Sequence, residues 1–178
     1  MNLKKVLHVA LLFHVLSAIS FASSNKAPEI FQRTIPFLVN SKGAKLPKAK
    51  DLLKKDFILV YYSAHWCPPC QKFTPKLVEF YNQNATTGNF EIVFASSDQN
   101  EKSMLNYMVE TKMPWPAIEF KKIEASKIKE YGGKGIPCLV LFNAQGEILS
   151  HSYEDDKYLG PNKVLDDLQK KIKAKEAK

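Results

Sequence analysis

The stretch Phe57-Ile58-Leu59-Val60-Tyr61-Tyr62 carries no polar residue, and only Ser63, Ala64, His65 and Trp66 separate it from Cys67-Pro68-Pro69-Cys70. So short an apolar run, rich in aromatic and β-branched side chains, predicts a strand. Its lack of polar alternation predicts that both faces of that strand are covered. A strand buried on both faces needs a layer above and a layer below, which confines the chain to a sheet with helices on either side.

The flanking segments extend this pattern. Phe73, Leu77, Phe80 and Tyr81 recur at helical spacing and predict one buried stripe on a helix beginning just after Cys67. Gly88 then marks a turn, and Phe90 to Ala95 predicts a second strand. Asp98 and Glu101 form a capping-box-like pair ahead of a helix whose apolar side is Met104, Leu105 and Met108. Pro114 and Pro116 force a loop around Trp115. Glu124 to Tyr131 predicts a short helix stopped by Gly132 and Gly133. Leu139 to Phe142 and Glu147 to Ser152 flank the turn Asn143-Ala144-Gln145-Gly146 and predict an antiparallel hairpin. Pro161 opens a last helix with Val164, Leu165 and Leu168 inward. Near the start, Phe37-Leu38-Val39 and Ala44-Lys45-Leu46 predict a short hairpin. The fold class expected is α/β, a central mixed sheet with helices on both faces. Ligands on such sheets sit at the carboxyl ends of the parallel strands, and the strand ending at Tyr62 delivers Cys67 to that edge.

The first residues predict export. Lys4 and Lys5 precede the apolar stretch Val6 to Ile19, and Ser20-Phe21-Ala22 offers small residues for cleavage. These features predict a secretory signal peptide over residues 1–22. The apolar run is too short and interrupted for a comfortable membrane span, though an uncleaved anchor is the alternative. Residues 23–36 read as a flexible leader, 37–172 as the domain and 173–178 as a basic tail. The periplasm is the expected destination, with the secretory pathway or the extracellular space as the alternative.

Export changes how the cysteines are weighed. Disulfides persist outside the reducing cytosol, yet beyond residue 22 the chain has only Cys67, Cys70 and Cys138. A scaffold stapled by disulfides carries more, usually an even number. With 45% hydrophobic residues the chain can build a core without staples, so the cysteines point to chemistry. The formal net charge of +8 comes from scattered lysines, concentrated only at the end, and gives no reason to expect nucleic acid.

The nucleophile of disulfide exchange is a thiolate, and a helix N-terminus favours negative charge. Cys67 falls where strand gives way to helix. Pro68 suits the first helical position, where no N–H is needed. Cys70 lies one turn on, so it can resolve a mixed disulfide formed at Cys67. Trp66 adds a flat apolar surface beside the sulfur, or else packs into the core. Three other readings remain: a static disulfide, a binding module built around it, and half of a zinc site completed by Cys138 and His65. Zinc sites commonly draw on two such cysteine pairs, so no metal is expected.

Several segments in order resemble the thioredoxin superfamily, and more closely its tryparedoxin and nucleoredoxin branch. They are Phe57 to Pro75, which includes Trp-Cys-Pro-Pro-Cys; Asn89 to Asp98; Met113 to Phe120; and Gly135-Ile136-Pro137 before Leu139. The resemblance implies a thioredoxin-like fold and a protein-disulfide oxidoreductase with no cofactor. Cys67 would attack and Cys70 would resolve. The Ile136–Pro137 bond would be cis, with Pro137 against the sulfurs and the backbone of Ile136 pairing with a substrate strand. Trp66, Ile136 and Pro137 are thus the substrate-binding candidates. The expected partners are protein thiols and disulfides and a redox partner protein, including one held in a membrane; the chain is expected to be a monomer. The reductase direction is slightly favoured over oxidase or isomerase.

Two departures stand out. Thioredoxins place a buried Asp where this chain has Tyr61, and Thr or Ser where it has Cys138. Cys138 therefore reads either as a small buried residue or as a third redox thiol modulating Cys67. Asp98 reads as a helix cap, and His65 and His151 as surface residues without partners.

Overall fold

The computed structural model describes residues 27–177. The expected signal peptide, and the first residues of the expected leader, lie outside the described residues. A helix α1 (Glu29–Thr34) runs through a 3-10 turn into strand β1 (Leu38–Val39). Strand β2 (Phe57–Ser63) leads to helix α2 (Pro68–Asn84). Next come β3 (Phe90–Ser96), α3 (Glu101–Glu110), β4 (Ala117–Ile118) and the single turn α4 (Ile123–Ser126). The chain then forms β5 (Cys138–Asn143), β6 (Ile148–His151), a separate hairpin of β7 (Tyr153–Glu154) and β8 (Lys157–Tyr158), and α5 (Pro161–Glu176).

Six strands make one mixed sheet in the order β1-β4-β3-β2-β5-β6. β2 lies near the middle, parallel to β3 and antiparallel to β5. Leu59 and Tyr61 point to the core under α2, α3 and α5, while Ile58, Val60 and Tyr62 point to the core under α1 and α4. Both faces are filled, which is why the sequence of β2 does not alternate. The crossovers β2–α2–β3 and β3–α3–β4 step the same way across the sheet, and right-handed connections place α2 and α3 on the same face.

The structure departs from the sequence reading in four places. Residues 29–36, expected to be flexible, form a helix and a 3-10 turn whose Ile30, Phe31 and Ile35 are buried in the second core. Phe31 meets Phe142 edge to face, at 6.1 Å between ring centres. The leader has few apolar residues, but they fall on one face, and the sheet supplies a surface for them that no local signal reveals. The predicted helix over 124–131 is broken at Lys127, which is left-handed at φ 56°, and resumes as a 3-10 turn. The Phe37–Leu46 hairpin keeps only the bridge between Val39 and Lys45, because β1 takes β4 as its ladder partner. α5 extends past residue 172 to Glu176, so most of the basic tail is helix.

One carboxyl inside the fold is held above its ordinary range. Burial pushes Glu91 up, against the opposing pull of its hydrogen bonds. Its Oε1 accepts from the Ile92 amide at 2.9 Å and from the Tyr81 hydroxyl at 2.8 Å. β4 is too short to pair with β3 at this level, meeting it only at Phe94.

Two outcomes are expected. Phe31→Ala should destabilise the protein by about 3–5 kcal/mol in denaturant titration, as other buried aromatic truncations do; a loss below about 0.5 kcal/mol would mean that α1 is not docked. The native Glu91 binds its proton more tightly than the unfolded chain, so the group's contribution to stability falls as pH rises from the ordinary glutamate range through the folded value. Glu91→Gln should flatten that part of the stability–pH curve, and an unchanged curve would refute the assignment.

Candidate active site

The end of β2 and the start of α2 place Cys67. Its backbone is extended, at φ −93° and ψ 105°, and its sulfur caps the helix by accepting from the Cys70 amide at 3.3 Å. Pro68 opens the helix without wasting a donor. Cys67 and Cys70 are joined as a disulfide with Cα atoms 5.2 Å apart. Both are buried, Cys67 at 3% exposure and Cys70 at 0%. Because Pro68 and Pro69 carry no N–H and the Gln71 amide bonds the Cys67 carbonyl at 3.0 Å, the Cys70 amide is the donor directed at the sulfur, and with the helix dipole it favours an anion there.

Trp66 is 59% exposed, which excludes the core-packing alternative. Its Nε1 donates to the Ser97 carbonyl at 3.1 Å, so the ring is tethered while its face stays open. Beside it lies an open hollow of about 340 Å³, lined by His65, Trp66, Gln71, Asp98, Gln99 and Ser103. The Ile136–Pro137 bond is cis. The Ile136 carbonyl oxygen lies 3.8 Å from the Cys67 sulfur, and the Ile136 side chain packs on Ala64, Cys67 and Cys70. Trp66, Ile136 and the cysteine pair therefore meet at one edge of the sheet.

Two expectations are corrected, and the alternatives left open for Cys138 are weighed. Asp98 does not cap α3; Asn100 does, accepting from the Ser103 amide at 2.9 Å. Asp98 instead turns towards the active-site loop. Its carboxylate accepts the His65 amide and the Ser96 hydroxyl, each at 2.8 Å. Neither histidine lacks a partner. His65 stacks on Tyr107 with ring centres 5.5 Å apart and contacts Glu110 at 2.9 Å, while His151 accepts the Tyr153 amide at Nδ1, 2.9 Å away, and faces the Tyr131 carbonyl with Nε2 at 3.1 Å. Cys138, finally, is fully buried and lies in the core cluster of Tyr62, Ile128 and Val140, not in the one around the disulfide. Burial pushes its thiol up, away from the reactive anion. That favours the packing reading of Cys138 over the redox-modulator reading.

Where thioredoxins have a buried acid, this chain builds a hydroxyl cluster. Tyr61 Oη lies 2.8 Å from Thr74 Oγ1, which also donates to the Cys70 carbonyl at 2.9 Å. Tyr107 Oη meets the same Thr74 oxygen and the Ser63 hydroxyl, the latter at 3.1 Å. Burial pushes the Tyr61 phenol far up, so it remains a neutral hydroxyl. Sequence reasoning gave Thr74 and Tyr107 no role. They lie 33 residues apart and meet only because α2 and α3 share a face.

Among the described residues no group of His, Cys, Asp or Glu is placed to hold a metal ion, and no helix is long and apolar enough to cross a membrane.

Comparison with known proteins agrees with this geometry. A family model described as thioredoxin-like matches residues 55–148, more than half of the chain. Human nucleoredoxin is 39% identical over 128 residues, covering 69% of this chain and 28% of that protein. The tryparedoxin of Trypanosoma brucei brucei is 39% identical over 112 residues, covering 56% of this chain and 76% of that one. The chain thus spans less than a third of the human nucleoredoxin but most of the tryparedoxin. Among solved structures, a thioredoxin from Wuchereria bancrofti superposes with a TM-score of 0.59 at 33% identity, covering 75% of this chain and 94% of that one. The chain belongs to the thioredoxin-like family, as a thiol redox protein related to tryparedoxins and nucleoredoxins, with Cys67 and Cys70 as its cysteine pair.

Proposed function

We propose that this protein is an exported protein-disulfide oxidoreductase, with the reductase direction slightly favoured over oxidase or isomerase. The observation that carries the reading is the Cys67 sulfur at the cap of α2, with the Cys70 amide directed at it. In the reduced protein the Cys67 thiolate attacks one sulfur of a substrate disulfide. A mixed disulfide forms and the first substrate thiolate leaves. Cys70 then gives up its proton and attacks the Cys67 sulfur. The Cys67–Cys70 bond forms, the second substrate thiolate leaves, and two electrons have passed to the substrate. A partner protein carrying a dithiol must return those electrons.

The exposed Trp66 face and the Ile136 backbone beside Cys67 give a polypeptide substrate a flat surface and a strand edge to pair with. The kinship with tryparedoxins favours the reductase direction. Export rests on the basic, apolar and small-residue sequence of residues 1–22, and the periplasm is the compartment proposed. The domain acts as a monomer in this reading.

With dithiothreitol as electron source, the protein should accelerate reduction of insulin disulfides. Cys67→Ser should abolish the acceleration, and Cys70→Ser should trap a mixed disulfide visible on a non-reducing gel. If the parent and Cys67→Ser behave alike, the pair is a static bridge and the enzymatic reading fails. Asp98→Ala leaves the His65 amide without its acceptor and should cost about 1.5–3 kcal/mol of stability, the range for hydrogen bonds to charged groups. It should also slow insulin reduction, whereas a variant as stable as the parent would remove Asp98 from the support of the site.

A further inference from the structure

The β7–β8 hairpin lies outside the main sheet yet is fastened to the segment that leads into β5. Its two-residue turn, Asp155-Asp156, is left-handed at φ 47° and 65°, the conformation that closes a tight hairpin. At its tip Asp156 pairs with Lys134 at 3.0 Å. Tyr153 packs so closely on Gly133 that a Cβ there would overlap its ring. At the base, Ser152 Oγ accepts the Leu139 amide at 2.8 Å, and the Ser152 carbonyl accepts the Leu159 amide at 2.8 Å. Between these ties, Tyr158 donates its hydroxyl to the Pro137 carbonyl at 2.9 Å.

That last contact lies next to the chemistry. Proline brings only a carbonyl to the backbone, and the ladder between β2 and β5 begins after Pro137, at Cys138. The Pro137 oxygen therefore takes its partner from outside the sheet, and Tyr158 supplies it. One residue earlier, the Ile136 carbonyl lies 3.8 Å from the Cys67 sulfur. Tyr158 is 47% exposed; its ring packs on Tyr153 with centres 5.0 Å apart, and that packing aims its hydroxyl at the Pro137 carbonyl.

We infer that Tyr158 is a positioning residue for substrate binding: by holding the Pro137 carbonyl, it fixes the Ile136 backbone as a preformed strand edge for a polypeptide substrate. This rests on the proposed action on protein disulfides. A chain that must pair with Ile136 gains from an edge already ordered, because the ordering entropy is not charged to binding. A small disulfide, needing only the Cys67 sulfur, gains nothing from it.

The test is Tyr158→Phe, which keeps the ring and removes the hydroxyl. The KM for insulin should rise about fivefold, the scale of one neutral hydrogen bond, with kcat unchanged. The rate with 5,5′-dithiobis(2-nitrobenzoate) should stay at the parent value. Amide hydrogen exchange of Gly135, Ile136 and Cys138 should quicken while α2 exchanges as before. An unchanged KM together with unchanged exchange overturns the inference, as does an equal slowing on both substrates with a lowered melting temperature. Should the parent itself leave insulin untouched, the proposed function fails and exchange alone decides the role of Tyr158: faster exchange supports it and unchanged exchange overturns it.

Discussion

The site depends on the electrostatics of a helix that starts where a buried strand stops. β2 is covered on both faces, so its direction is fixed by two cores at once. After four intervening residues α2 begins, with Cys67 at its cap. Pro68 and Pro69 bring no N–H to that first turn, the Gln71 amide bonds the Cys67 carbonyl, and the Cys70 amide takes the sulfur as its acceptor. The contact that satisfies the helix start therefore also directs a donor at the sulfur. Moving Cys67 one residue either way would take the sulfur off the cap and leave Cys70 on another side of the helix.

A short loop cannot hold such a sulfur unaided. Here the support comes from the next parallel strand. The Asp98 carboxylate holds the His65 amide, the Ser97 carbonyl holds the Trp66 ring, and the Ser63 carbonyl accepts the Ser97 amide at 2.8 Å. The two loops at the carboxyl ends of β2 and β3 thus brace each other. Beneath them the Tyr61, Thr74, Tyr107 and Ser63 hydroxyls satisfy one another in a dry interior, where an unpaired polar group is costly. This cluster fills the space of the carboxylate found in thioredoxins with neutral donors and acceptors. The cluster holds hydroxyls only, and no carboxylate lies within it.

Much of this was legible in the chain. The apolar runs predicted the strands of the sheet's centre, the Phe73–Tyr81 spacing predicted the buried stripe of α2, and Trp-Cys-Pro-Pro-Cys with the later Ile-Pro predicted the edge where the cysteine pair and Ile136 come together. The misreadings share one cause. Asp98 carries a capping signature, but its side chain chose a backbone amide 33 residues away. Residues 29–36 look like a leader until the sheet offers Phe142 as a partner for Phe31. In each case a local pattern was outweighed by a contact distant in sequence.

The sequence by itself determined the elements near the site and the spacing of the two sulfurs, because periodicity, proline and helix-end chemistry act over a few residues. Only the tertiary structure decided what braces the loop, which face Cys138 occupies and which hydroxyl holds Pro137. Those choices are made between segments tens of residues apart, where packing of the two cores, and not local preference, brings donors to acceptors.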